Sequence, residues 1–253
     1  MNQQQEIQLF SLIGLIAIIT VSIYNSAFKG GKFTCNRYIL NSYLYILLVI
    51  VLIMLQVLYL DFKKITVNEL FQYFSGFSGF FLLLIITIAV LIILMSIPPR
   101  LVIIKHFVWI LFALILGMIA FPSYVKSKKE NTLVGVMFSL IGILGFFTAI
   151  AFIKPEWISM KWAPILIFLL IGMIIVQIVF MIMNRNNKNV KRPKAFAYIL
   201  IVLFIFFLLY DTKKIQINAK NCITSKADYI NESLGIVLDI LNLFQNLVFA
   251  QGS

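Results

Sequence analysis

Read as a helix, the stretch from Asp228 to Leu247 sets Glu232, Gly235, Asp239, Asn242 and Asn246 at spacings of three and four. Such spacings share one helix face, so these residues form a polar stripe along an otherwise apolar rod. Asp239 is its central carboxylate, with Asp228, Glu232, Asn242 and Asn246 in support. Two destinations suit such a helix. It can cross a membrane with Asp239 facing a bundle interior, a watery cavity or another polar group, since a mid-membrane Asp costs at least about 2.5–3.5 kcal/mol. Alternatively, it can lie flat at the interface with its stripe toward water. The pattern divides evenly between them.

Asp211 is the available partner for Asp239, closing the preceding apolar run just past Tyr210. Two carboxylates brought together in low dielectric cannot both ionise cheaply, so the pair shares a proton. The result would be a pH-sensitive latch, closed while it holds that proton. Asp211 also has a plainer reading, as a solvated helix end beside Lys213 and Lys214, and on the residues alone that reading is the stronger.

Little else could do chemistry. The single His, His106, stands beside Lys105 near the start of an apolar run, with no second ligand at metal spacing. It reads as a hydrogen-bonded packing residue. Gly30-Gly31-Lys32 is too short for a phosphate loop, and no hydrolase or zinc-protease motif occurs. Cys35 and Cys222 fall in separate loops and make no framework, which favours two free thiols and leaves their pairing open. We expect neither an enzyme nor a bound cofactor.

The elements that must position these residues follow from composition. Of 253 residues, 62% are hydrophobic and 12% charged, with a mean hydropathy of +1.03. A soluble domain carries roughly 45–50% apolar and about 25% charged residues. So little polar surface could not cover a water-soluble core, and disorder is excluded for the same reason. The chain reads as a polytopic membrane protein. Its net charge of +12 lies in short loops, where it suits anionic headgroups. Without basic clusters interleaved with stacking aromatics, nucleic acid is not an expected partner. The lipid bilayer is.

A spanning helix needs about 20 apolar residues. Runs of that order, bounded by charge, Pro or Asn, are 9–24 (extendable to 8–28), 38–60, 77–97, 101–121, 133–153, 163–183, 195–210 and 229–249. The first has no positive n-region and reads as a retained span rather than a cleaved signal. The expected fold is all-α, a transmembrane bundle of seven to eight spans forming one integral membrane domain over 1–253. Pro98, Pro122, Pro155 and Pro193 are expected at helix ends, where a missing N–H costs least. Alternate loops carry ten and eleven Lys+Arg, so the positive-inside rule is tied. The densest loop, Arg185 to Lys194, votes for the cytoplasmic side. Asp61-Phe-Lys-Lys-Ile-Thr-Val-Asn68 echoes Asp211-Thr-Lys-Lys-Ile-Gln-Ile-Asn218, with coincidence favoured over an internal repeat.

The C-terminal stretch 210–248 resembles the transmembrane Bax-inhibitor-motif family. The resemblance rests on Tyr210-Asp211-Thr212, Asp228-Tyr229-Ile230, Ser233-Leu234 and Leu238-Asp239-Ile240-Leu241-Asn242-Leu243-Phe244. It implies a seven-helix bundle around a central last helix, calcium as a permeant ion across an intracellular or bacterial membrane, and suppression of cell death. It also implies that Asp211 and Asp239 are the pH-responsive gating pair. The chain departs from the family in its additional N-terminal span and in lacking an acidic residue in the middle spans. Two functions are therefore expected in order: a Bax-inhibitor-like calcium leak in an ER- or Golgi-type membrane, then a non-transporting subunit of a viral envelope or large membrane complex, with protein partners there.

Overall fold

The bilayer offers no water to backbone N–H and C=O groups, so the apolar runs must satisfy those groups internally as helices. The computed structural model describes residues 3–72, 77–186, 193–223 and 227–252. Its helices are α1 (Gln3–Ala27), α2 (Tyr38–Phe62), α3 (Val67–Gln72), α4 (Phe77–Ser96), α5 (Val102–Lys129), α6 (Leu133–Ile153), α7 (Ala163–Asn186), α8 (Lys194–Lys220) and α9 (Tyr229–Gln251). A two-residue ribbon, β1 (Phe28–Lys29) with β2 (Lys32–Phe33), turns the chain between α1 and α2. Gly30 and Gly31 both have positive φ there, at 58° and 74°, a conformation that glycine adopts without a Cβ penalty.

Among the described residues, seven helical segments are long and apolar enough to cross a membrane. Within α4 the apolar part described is Leu82–Ser96. The exterior is correspondingly apolar: Ile103, Phe107, Phe138 and Phe168 are 71–85% exposed. A solvated surface does not carry such a density of large bare hydrophobics. Burial is uneven, at 67% of the apolar window of α9 and 50% of α8 against 6% for the span containing α7. The polar stripe of α9 therefore does not face water, and the interface-lying alternative fails.

Two compact units are distinguishable, residues 1–125 with 215–237, and 126–214 with 238–253. In the first, α1 packs along α2, with the Ser26 hydroxyl bonded to Asn41. Gly117 of α5 lets Gln56 of α2 approach so closely that a Cβ would sit 2.8 Å from the glutamine Cγ. Small residues at helix contacts serve this purpose in lipid, where apolar side chains gain nothing by leaving the bilayer for one another. In the second unit, Ala151, Ile158 and Leu209 form a buried cluster with Phe147, Trp162 and Ile205 packed on it.

Two expectations from the sequence are corrected. Pro122 does not end its helix: α5 continues to Lys129, losing one backbone bond while the turns on either side hold. The run expected to stop at Tyr210 continues as α8 to Lys220, so Asp211 lies inside a helix and not at a solvated end. The strongly polar composition of 211–220 hid those last turns. The echoing stretches differ in structure, as the favoured coincidence reading expects: Asp61 to Asn68 ends α2, turns at Lys64 (φ 56°) and enters α3, whereas Asp211 to Asn218 is helical throughout.

Candidate functional site

The residues of α9 divide between two settings. In the second compact unit, α8 presents Asp211 and α9 presents Asp239, Asn242 and Asn246. Asp239 is 4% exposed, and its Oδ2 has no hydrogen-bond partner among the described residues. Asp211 is half-buried and its charge reaches Asp239. The next residue, Thr212, is fully buried. Asn242 donates through Nδ2 to the Leu238 carbonyl at 2.8 Å, and Asn246 does likewise to the Asn242 carbonyl at 2.8 Å. Both amides thus bond back onto their own helix instead of reaching Asp239. Asp211 thus acts on Asp239 through its charge, while the two asparagines bond to the backbone of α9 itself.

Nearby in the same unit, the Lys213 ammonium of α8 donates to the Ile158 carbonyl in the connection between α6 and α7. That contact ties the polar end of α8 to the apolar cluster around Ile158.

Asp228 and Glu232 belong to the first compact unit and to a different arrangement. Asp228 is ion-paired through Oδ2 to Lys105 Nζ at 2.6 Å, and its Oδ1 accepts from the Asn231 backbone N–H at 3.2 Å, in the manner of a helix N-cap. Lys105 is fully buried and donates a second bond to the Ile97 carbonyl at 2.7 Å. Glu232 accepts from Asn218 Nδ2 at 2.7 Å and is hydrogen-bonded by the Tyr38 hydroxyl. These two acids therefore engage partners of the first unit and are not continuations of the Asp239 site.

Lys105 was legible as a loop cation, and its role was missed. A lysine inside an apolar run needs a counter-ion, which is the signal that could have found Asp228. His106 sits as a packing residue does, with the Tyr45 hydroxyl 2.7 Å from Nε2 and the Val102 carbonyl 2.7 Å from Nδ1. Trp109, Phe33 and Tyr45 surround its ring.

The thiols are the third correction: Cys35 and Cys222 form a disulfide. The connection after α1 and the connection before α9 meet at one place, and a separation of 187 residues carries no trace of that in sequence. Among the described residues no group of three His, Cys, Asp or Glu could hold a metal ion.

Outside the transmembrane helices, Thr66 and Glu69 form a reciprocal cap on α3. The Thr66 N–H donates to Glu69 Oε2 at 2.7 Å, and the Glu69 N–H to Thr66 Oγ1 at 3.1 Å. The Thr66 backbone bond, with its hydroxyl second, holds the Glu69 carboxyl below its usual range.

Comparison with curated proteins and with solved structures returned no match. A family model described as "Inhibitor of apoptosis-promoting Bax1" matches residues 35–250. The match takes in every helix from α2 to α9 and leaves α1 outside, so the resemblance carried by 210–248 extends over nearly the whole bundle. Covering far more than half of the chain, it makes this protein a polytopic membrane member of the Bax inhibitor family.

Proposed function

We propose that this membrane protein conducts a pH-sensitive calcium leak, gated by Asp211 and Asp239, and through it modulates cell death. The observation that carries the reading is the buried Asp239 carboxylate, whose Oδ2 lacks a hydrogen-bond partner among the described residues while Asp211 stands within electrostatic reach. An orphaned carboxylate oxygen in an apolar bundle is expensive to keep. Such groups inside membranes mark ion paths and proton relays. With one shared proton the pair is neutralised to a single charge and closes. With the proton gone, mutual repulsion separates α8 from α9 and presents two carboxylates to a cation.

The test is reconstitution of the purified chain in liposomes with calcium entry followed at pH 6 and pH 8. The expected result is slow entry at pH 6, faster entry at pH 8, and loss of the pH 8 entry in Asp239→Asn, which holds the uncharged state. Equal flux in wild type, Asp211→Asn and Asp239→Asn would rule out the latch. No flux at either pH would reject the leak and leave a non-transporting subunit, whose partners should then copurify in fixed stoichiometry.

A further inference from the structure

The charge count does not orient this protein, but the disulfide does. Cys35 lies between α1 and α2, and Cys222 between α8 and α9. A bond joins them only if both connections lie on one face of the membrane. The helices between the two cysteines must then cross an even number of times. Among the described residues α2, α5, α6, α7 and α8 meet the length and hydropathy of a span, which is an odd number. The missing crossing is α4.

Contacts within the first compact unit support that assignment. At the disulfide end, Asn231 at the start of α9 reaches the Met95 carbonyl near the end of α4. Lys105 at the start of α5 bonds Ile97 and Asp228, and the Tyr229 hydroxyl bonds the Thr34 carbonyl beside Cys35. At the opposite end, the Tyr124 hydroxyl of α5 lies 3.3 Å from Asp61 of α2. There Asp61, Lys64 and Thr66 line an open groove of about 440 Å³ with Phe121 and Val125. The segment entering α4 through α3 starts from that second end, and α4 finishes at the first. Its 20 residues rise about 30 Å, one hydrocarbon core.

Disulfides persist in oxidising compartments and are kept reduced in the cytosol. We therefore infer that the face carrying Cys35–Cys222, Asp228 and the α4–α5 turn is the non-cytosolic face of an eight-span protein. The Gln3 end of α1 and the Gln251 end of α9 are cytosolic. The densest basic segment, Arg185 to Lys194, lies for the most part outside the described residues, so the orientation rests on the disulfide. On the disulfide face one of the counted basic residues is committed to structure, Lys105 to Asp228.

The inference is tested on the full chain, expressed in cells and carrying a cysteine-free fluorescent protein after Ser253. Acid-quenched cells are treated with a polyethylene-glycol maleimide under denaturing conditions, with and without prior reduction. The expected pattern is no adduct without reduction and two after it, and one adduct without reduction in Cys35→Ser and in Cys222→Ser. The C-terminal reporter should be digested by protease once the plasma membrane alone is permeabilised. Two adducts on unreduced wild type would overturn the oxidised face. Blocked thiols with a protected reporter would overturn the eight-span sidedness. Neither readout depends on calcium flux, so failure of the leak reading leaves this one standing.

Discussion

Lys105 Nζ lies 2.6 Å from Asp228 Oδ2, with the lysine side chain wholly buried and the aspartate 14% exposed. A buried pair of this kind adds little over a well-packed apolar pair, yet removing one member strands a charge at a cost of about 3–5 kcal/mol. Lys105→Met should therefore lower the thermal stability of the detergent-solubilised protein markedly, and Asp228→Asn nearly as much. Lys105→Met combined with Asp228→Leu should recover most of the loss. Additive losses in the double variant would show that the two side chains act separately.

The disulfide gives a second stability prediction. Cys35→Ser, Cys222→Ser and the double variant should lose the same amount, because each breaks the same bond. In water a disulfide typically stabilises by about 2–4 kcal/mol. In a bilayer the spans already restrain the unfolded chain, so the loss should fall below that range. Reductant should lower the melting temperature of wild type to that of the variants and leave the variants unmoved.

Gly117→Ala should destabilise by about 1–3 kcal/mol, since its Cβ would meet the Cβ and Cγ of Gln56 at 2.9 and 2.8 Å. Gly142→Ala, with nothing within 4 Å, should be neutral or stabilise by about 0.5–1 kcal/mol through helix propensity. Melting temperatures of the two variants read side by side decide it, and equal behaviour would remove the close approach of α2 and α5.

Glu69 should titrate below 4.5 in micelles when followed by carboxyl NMR. Its folded value is depressed, so the cap on α3 is at full strength at neutral pH and is lost as the pH falls through that lowered value. Thr66→Ala removes the hydroxyl contribution and keeps the backbone N–H, so the midpoint should rise only part of the way back. A wild-type midpoint at or above 4.5 would contradict the cap.

The periodic and apolar parts of the chain were readable, and the polar ones were readable only where they formed a pattern. The ends of α6 at Leu133 and Ile153 coincide with the apolar run, because Thr132 and Lys154-Pro155 punctuate it. Asp239 was found from its stripe, and its burial follows from the position that stripe gives it. Asp211 was misplaced to a helix terminus because charges were taken as boundaries, although a helix buried against others carries polar turns well past its last apolar residue. Pro122 misled for a related reason: one lost backbone bond does not stop a helix held by tertiary packing on both sides. Lys105–Asp228 and Cys35–Cys222 join residues 123 and 187 positions apart, and local spacing holds no information over such distances.

The position of Cys222 also sets an order of assembly. During synthesis Cys35 is delivered across the membrane early, but its partner follows 187 residues later. At translation rates of about 5–20 residues per second, Cys35 waits roughly 10–40 s as an open thiol in an oxidising space. The bond can close only after α8 has been made. Its formation is thus a timestamp on the nascent chain, and a ribosome-bound intermediate stalled before Cys222 would be open to mispairing with any other chain that offers a cysteine on that face.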